Sequence, residues 1–205
     1  MTHHTDPPRT ENPPRRRRVW RIIGRLALVS VVLFSSLIGY LAYLQLSGNY
    51  HAIVEGEVYR SAQPDYEMLE RFAVEDGGKT VLNLRGIAPG SDWYDTERAA
   101  ADELGLIHID FPMSDRKVIS PEVAEELIAI MRDAPKPLLV HCKAGADRTG
   151  LAGALYLIAH AGASEAHAER HLSLLYGHVG VPISAAWPMD LSWHAYEAHI
   201  GLNEG

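Results

Sequence analysis

Between Leu26 and Leu46 the chain carries 21 consecutive residues without a charge, LALVSVVLFSSLIGYLAYLQL. Wound as a helix at about 1.5 Å per residue, this run matches a bilayer hydrocarbon core about 30 Å thick. No other stretch limits the fold as much, because a helix that is apolar on every face has no polar side to show to water. A buried soluble helix of this length would rarely be apolar all round. A cleaved signal peptide would carry a shorter apolar run ending in small residues, whereas this one ends Tyr43-Leu44-Gln45-Leu46-Ser47-Gly48. The expectation is a single membrane-spanning helix over residues 22–46, with Tyr40 and Tyr43 at the interface.

The flanks give that helix a direction. Six arginines lie between residues 15 and 25, and the first basic residue after the run is Arg60. Lys and Arg are retained on the cytoplasmic side, so a cytoplasmic N-terminus is expected, with the larger part of the chain on the periplasmic or extracellular side. Residues 1–21, rich in Pro, Thr and His and then in Arg, read as a disordered basic tail. Beyond residue 46 lie 12 of the 19 basic and 24 of the 26 acidic residues, a net charge of −12. Such a surface repels nucleic acid, so no nucleic-acid partner is expected, and an anionic ligand has to be caught by a local basic pocket. One Cys rules out an internal disulfide and leaves no resolving thiol.

Past Gly48 the pattern is that of one compact domain over 48–205. Short apolar runs at Thr80–Leu84, Leu106–Phe111 and Leu138–Val140 predict buried strands. Helical patterns fall at about 64–76, 93–104, 120–133, 149–161, 164–176 and 187–200. Ser120 as N-cap, Pro121 at the first helical position and Glu122 in the first turn mark one helix start. Alternating strands and helices predict an α/β fold, a mostly parallel central sheet flanked by helices, preceded by the one transmembrane helix.

Chemistry concentrates in one segment. The run Pro137-Leu138-Leu139-Val140-His141 reads as a buried strand that ends at Cys142, followed by Lys143, Ala144, Gly145, Ala146, Asp147, Arg148, Thr149, Gly150 and an apolar helix. A strand–loop–helix turn of this kind aims successive loop N–H groups and a helix N-terminus at one spot, where an anion, a thiolate included, is stabilised. Cys142 is the candidate nucleophile. Arg148 is a planar fork able to hold two phosphate oxygens. Thr149 is placed to donate its hydroxyl to the Cys142 sulfur, and His141 to fix the loop by hydrogen bonding. Lys143, Ala144, Gly145, Ala146 and Asp147 complete the expected substrate-binding loop. The bland alternative for Cys142 is a buried structural thiol. The 11 His form no metal-ligand set around the loop, and His160, His167, His171 and His178 read as helix-surface residues, so no metal or other cofactor is expected.

The stretch His141–Gly150, HCKAGADRTG, resembles the HCxxGxxR[ST]G signature of the protein tyrosine and dual-specificity phosphatase superfamily. Val58-Tyr59-Arg60-Ser61-Ala62-Gln63-Pro64 and Thr80–Arg85 are similar to segments of its compact atypical members, so the resemblance spans about residues 50–180. It implies a two-step transfer through phosphocysteine in a phosphatase domain over 48–205, without a cofactor. It also implies a general acid on a loop upstream of the Cys. Asp115, after Pro112-Met113-Ser114, is favoured over Asp110, which falls inside an expected strand. Arg60 and Arg85 are either ion-pair residues or borders of the site, and Arg116 and Lys117 either bind a second anionic group or are solvated.

On substrate, the resemblance puts tyrosine or dual-specificity protein phosphatase activity first. A lipid or inositol phosphate phosphatase is the enzyme alternative, because Cys142-Lys143-Ala144-Gly145 resembles the loop of phosphatases similar to the phosphatase and tensin homologue. Ala146 departs from that pattern, where a second Lys is usual. A non-catalytic phosphate-binding module is the third reading. The expected partners are therefore a phosphorylated protein or phospholipid substrate, and a membrane through residues 22–46.

Overall fold

The computed structural model describes residues 15–202, and the chain separates into two compact units, Met1–Ala42 and Tyr43–Gly205. The first unit is helical from Arg15 onward, as part of α1 (Arg15–Leu46). Within Arg18–Leu46 an 18-residue stretch has a mean hydropathy of 2.1 and no buried residue, so this helix is long and apolar enough to cross a membrane. The helix opens at Arg15 and not at residue 22, so residues 15–21 are not the disordered tail expected there. Arginine is a good helix former and no proline separates the arginines from the apolar run. The rest of that tail, 1–14, lies outside the described residues.

The second unit holds a five-stranded sheet. Its elements are β1 (His51–Val54), β2 (Val58–Ser61), α2 (Tyr66–Val74), β3 (Thr80–Asn83), α3 (Asp92–Glu103), β4 (Ile107–Asp110), α4 (Pro121–Asp133), β5 (Leu138–His141), α5 (Asp147–Ala159), α6 (Glu165–Glu169) and α7 (Trp187–His199). The strand order is β1-β2-β5-β3-β4. β1 is antiparallel to β2, and β2, β5, β3 and β4 run parallel. The sheet is mostly parallel and covered on both faces, as its apolar strands required. Leu82 and Val140 point into a core shared with α4, α5 and α7, through Leu127, Met131, Leu151, Leu155 and Trp193. Val81 and Leu139 point the other way, against Leu69 and Phe72 of α2 and Ala100 and Ala101 of α3.

Three local expectations are corrected. Strands β1 and β2 escape the apolar pattern because β1 opens on His51 and is only half-buried, and β2 contains the buried Arg60. The single helix expected over 164–176 is instead α6 and a separate 3-10 turn, Leu174–Tyr176. Between them the backbone packs so closely on α5 that a Cβ added at Gly150 would lie 2.5 Å from the His171 carbonyl oxygen. Ser120 does occupy the N-cap of α4, but its side chain makes no cap hydrogen bond.

Candidate active site

The loop between β5 and α5 is defined by where its carbonyls go. Lys143 O accepts from the Gln63 amide at 3.2 Å, and Ala146 O from the Gly150 amide at 2.9 Å. Ala144 O accepts from Gln45 Nε2 at 3.3 Å and Asn49 Nδ2 at 3.1 Å. Gly145 O accepts from Asn49 Nδ2 at 3.2 Å and Arg60 Nη2 at 2.7 Å. In a planar trans peptide the N–H points opposite to the C=O, so four pinned carbonyls turn the following amides to the other side. Among the described residues, no amide from Lys143 to Thr149 donates a hydrogen bond within the protein. Seven consecutive unused donors at the start of a 13-residue helix form an anion cradle, with the dipole of α5 behind it. Cys142, a free thiol only 2% exposed, sits at the head of this run.

Two buried side chains brace the cradle from behind. Asn49, at φ 48, lies in the left-handed region that Asn tolerates best among non-Gly residues. Its amide also donates to Tyr176 O at 2.9 Å, tying the 3-10 turn to the loop. Arg60 is fully buried, donates from Nη1 to His171 Nδ1 at 2.9 Å, and stacks its guanidinium 4.0 Å from the Tyr176 ring centroid. Burial pulls the Arg60 pKa down to about 10, opposed by Tyr176, Cys142 and Asp147, so it remains a cation at neutral pH. Burial, then the charge of Arg60, pull His171 down to about 3, which leaves its Nδ1 free to accept. Of the two readings for Arg60, no ion pair is formed among the described residues, and the side chain borders the loop from its rear.

The predicted site residues do not all behave as expected. Arg148 is half-buried, with Nη1 donating to Leu84 O at 3.4 Å and Met113 O at 3.3 Å, while its buried Nε has no partner. Lys143 is exposed. Thr149 Oγ1 is buried without a hydrogen-bond partner, so the expected bond to the Cys142 sulfur is not formed. Asp115 is half-exposed on the turn after β4 and makes no hydrogen bond or ion pair among the described residues. Asp110, by contrast, accepts from Asn83 Nδ2 and the Tyr94 hydroxyl, both at 2.8 Å. Arg85 donates to Gln63 Oε1 at 2.5 Å and lies 3.4 Å from the Trp93 ring centroid.

A carboxylate that sequence reasoning passed over holds the front of the sheet. Glu97 is 1% exposed and accepts from His108 Nε2 at 2.5 Å, His141 Nε2 at 3.0 Å and Gln63 Nε2. Burial pushes its carboxyl up, but the bonds from His108, His141 and Gln63 outweigh this and hold it at about 2. His141 thus fixes the loop through Glu97. The available signal was position: Glu97 shares the buried face of α3 with Tyr94, Ala100 and Ala101, and an acid on such a face needs partners.

His171 and His178 are also not surface residues, at 3% and 1% exposure. His178 Nδ1 meets Asp147 Oδ1 at 2.7 Å and Nε2 meets Asp190 Oδ2 at 3.0 Å. A carboxylate at each nitrogen favours the imidazolium, which can donate to both. Burial lowers its pKa, and the two carboxylates more than offset that, leaving it raised.

These shifts set a pH window for stability. Glu97 is depressed, so its contribution is complete above its ordinary 4.5 and is lost as pH falls towards 2. His171 is depressed too, so its contribution is complete above 6.5 and is lost as pH falls towards 3. His178 is raised, so its contribution is complete below 6.5 and declines as pH rises through the higher folded value. Thermal melting of the full chain in detergent is expected to show Tm falling below pH 6.5. A His171→Gln variant should lose the part of that slope nearest neutrality, and an unchanged slope would contradict the assignment.

The profile of the family described as DSP-PTPase phosphatase fused to NAD+ kinase (PTP-NADK) matches residues 45–177, and the chain belongs to that family of Cys-dependent, dual-specificity-type phosphatases. A search of curated proteins finds no match. Solved structures share the fold. TpbA of P. aeruginosa is 23% identical, with 76% of this chain and 92% of that chain aligned at a TM-score of 0.55. PTPMT1 is 18% identical, with 75% and 99% aligned at 0.55. The core catalytic domain of the PP-IP phosphatase SIW14 from S. cerevisiae is 18% identical, with 75% and 89% aligned at 0.57.

Proposed function

We propose that this chain is a single-pass membrane-anchored phosphatase that hydrolyses phosphate monoesters through a phosphocysteine at Cys142. The observation that carries the reading is the run of unused amides from Lys143 to Thr149 beside the buried free thiol. In the first step the Cys142 thiolate attacks phosphorus in line. The S–P bond forms as the bond to the ester oxygen breaks, and Asp115 gives its proton to that oxygen. In the second, Asp115 takes a proton from water, which attacks phosphorus and returns the electron pair to sulfur. Arg148 and the loop amides gather the equatorial oxygens and hold them more tightly as charge spreads in the transition state. Residues His141, Lys143, Ala144, Gly145, Ala146, Asp147 and Thr149 shape or frame the cradle, and no step calls for a metal or other cofactor.

In this reading the arginine-rich start of α1 is the cytoplasmic flank, 22–46 the span and 48–205 the phosphatase domain, held on the periplasmic or extracellular side by the six arginines at 15–25. The fold is shared with TpbA, crystallised with phosphotyrosine, and PTPMT1, crystallised with PI(5)P. Both phosphorylated proteins and phospholipids therefore fall within the proposed reaction, and the surroundings of the loop choose between them.

Rapid denaturation of the enzyme during turnover of radiolabelled substrate tests the mechanism. Label trapped on Cys142, with a burst of p-nitrophenol, is expected; label on another residue overturns it. Asp115→Asn is expected to slow an alkyl phosphate by about 10²–10⁴-fold while p-nitrophenyl phosphate, whose leaving group needs no proton, loses far less. Such selectivity in Asp110→Asn instead would move the acid to Asp110.

A further inference from the structure

A second guanidinium stands beside the phosphate loop, and the register of the sheet puts it there. Ser61 of β2 and Asn83 of β3 both pair with His141 of β5, one from each side. Gln63 and Arg85 each lie two residues beyond that row, as Lys143 of the loop does. They bond across the end of β5: Arg85 Nη1 donates to Gln63 Oε1 at 2.5 Å, and the Gln63 amide donates to Lys143 O at 3.2 Å. The Trp93 ring, its centroid 3.4 Å from the guanidinium carbon, covers one face of Arg85. A long, rotamer-rich cation is thereby held in one place where Cys142 begins the cradle.

No carboxylate is bonded to it. Arg85 forms no ion pair among the described residues, and its guanidinium N–H groups other than the one on Gln63 have no acceptor there. Arg148 is likewise without a carboxylate, bonded to two backbone carbonyls. Acids are not scarce, since 24 of them stand against 12 bases beyond residue 46. Burial lowers the Arg85 pKa, the charge of Arg148 lowers it further, and Glu97 and Cys142 pull it back. Two unpaired cations close enough to act on each other repel, and an anion across them relieves the repulsion. The loop amides and Arg148 already meet the equatorial oxygens of one phosphate. An oxygen for Arg85 has to come from a different group.

We propose that Arg85 binds a second anionic group of the substrate, a phosphate or a carboxylate on the carbon next to the one that carries the scissile ester. This rests on the phosphatase reading above and narrows its substrate class. The two groups have to be close, because Arg85 is held at the first residues of the loop and its stack on Trp93 keeps it from swinging outward. Arg148 and the loop amides take the ester phosphate, Arg85 takes its neighbour, and exposed Lys143 adds positive charge on the same edge. A monoester without such a neighbour gains no charge-assisted bond from Arg85.

The test uses the full chain in detergent with a set of two-carbon alkyl esters: ethyl phosphate, phosphoethanolamine, phosphoglycolate and ethylene glycol bisphosphate. One charge-assisted hydrogen bond is expected to make kcat/KM for phosphoglycolate and for the bisphosphate about tenfold higher than for ethyl phosphate, mostly through KM. Phosphoethanolamine, whose neighbouring group is a cation, should fall below ethyl phosphate. Arg85→Gln is expected to bring the whole set to within about twofold of one another. A role confined to holding the loop would instead lower every ester alike and leave the order standing. Arg85→Lys keeps the charge but loses the fork and the stack, so the order should persist at a reduced ratio, and this variant decides the matter if Arg85→Gln does not fold. Equal kcat/KM across the set in the unaltered chain, or an order undiminished by the variants, overturns the second anion site while leaving the phosphatase reading intact. No hydrolysis of these esters or of p-nitrophenyl phosphate overturns both.

Discussion

Cys142→Ser is expected to lower turnover of p-nitrophenyl phosphate by about 10⁵-fold or more, a loss of the size seen when a covalent nucleophile is removed. A serine hydroxyl at the head of the loop lacks an adjacent base, and it is not ionised by amide dipoles alone. Binding should move the other way. The amides from Lys143 to Thr149 and the Arg148 fork are untouched, and a serine hydroxyl sets no charge against the anion, as the thiolate of the proposed mechanism does. Tungstate affinity measured by calorimetry is therefore expected to hold or tighten in the Ser variant and to collapse in Arg148→Ala. Measurable turnover in the Ser variant, or tungstate binding lost with it, would remove Cys142 from the centre of the site.

Gly145→Ala is the second large effect, and it acts through geometry alone. Gly145 has φ +66, and a Cβ there would lie 2.5 Å from Ala62 N and 2.6 Å from the Ser61 carbonyl carbon. Both neighbours are backbone, and neither can retreat. Ala62 N is bonded to Gly48 O, and Ser61 is the last residue of β2, paired with His141 of β5. Left-handed strain and overpacking together are expected to cost about 2–5 kcal/mol of stability. Any chain that still folds should hold the loop displaced, with tungstate binding lost. Gly77→Ala is the matched control. It has φ +69 but no atom within 4 Å of the added Cβ, so a cost of only about 1–2 kcal/mol is expected. Equal melting losses in the two variants would refute the close approach.

Much of the fold was legible. The strands around Val81 and Leu139 show in the sequence because parallel strands buried on both faces are runs of apolar residues, whereas β4, around Ile109, is an edge strand that is only half-buried and not the buried strand expected. β2 was not legible, because VYRS hides a strand behind an arginine. The helix expected to reach Tyr176 was cut short by the approach of His171 to the glycines of α5, a contact that no local periodicity encodes. Similarly, Asp110 and Asp115 differ little as sequence neighbours, yet one is engaged by Asn83 and Tyr94 and the other is not.

The apolar run from Leu26, the order strand, Cys142, Gly145, Arg148 and helix, and the acidity of the domain all follow from residues read in place. These are short-range properties: hydropathy along a helix, the turn a glycine permits, the dipoles at a helix start. Folding settled which side of the loop each long-range partner would occupy. Arg60 reaches Gly145 across 85 positions and Asn49 reaches Tyr176 across 127. Glu97, His171 and His178 became buried and took their protonation states there. A charged or polar side chain is stable in the interior only when its partners arrive with it, and no pattern within one element reports whether they do.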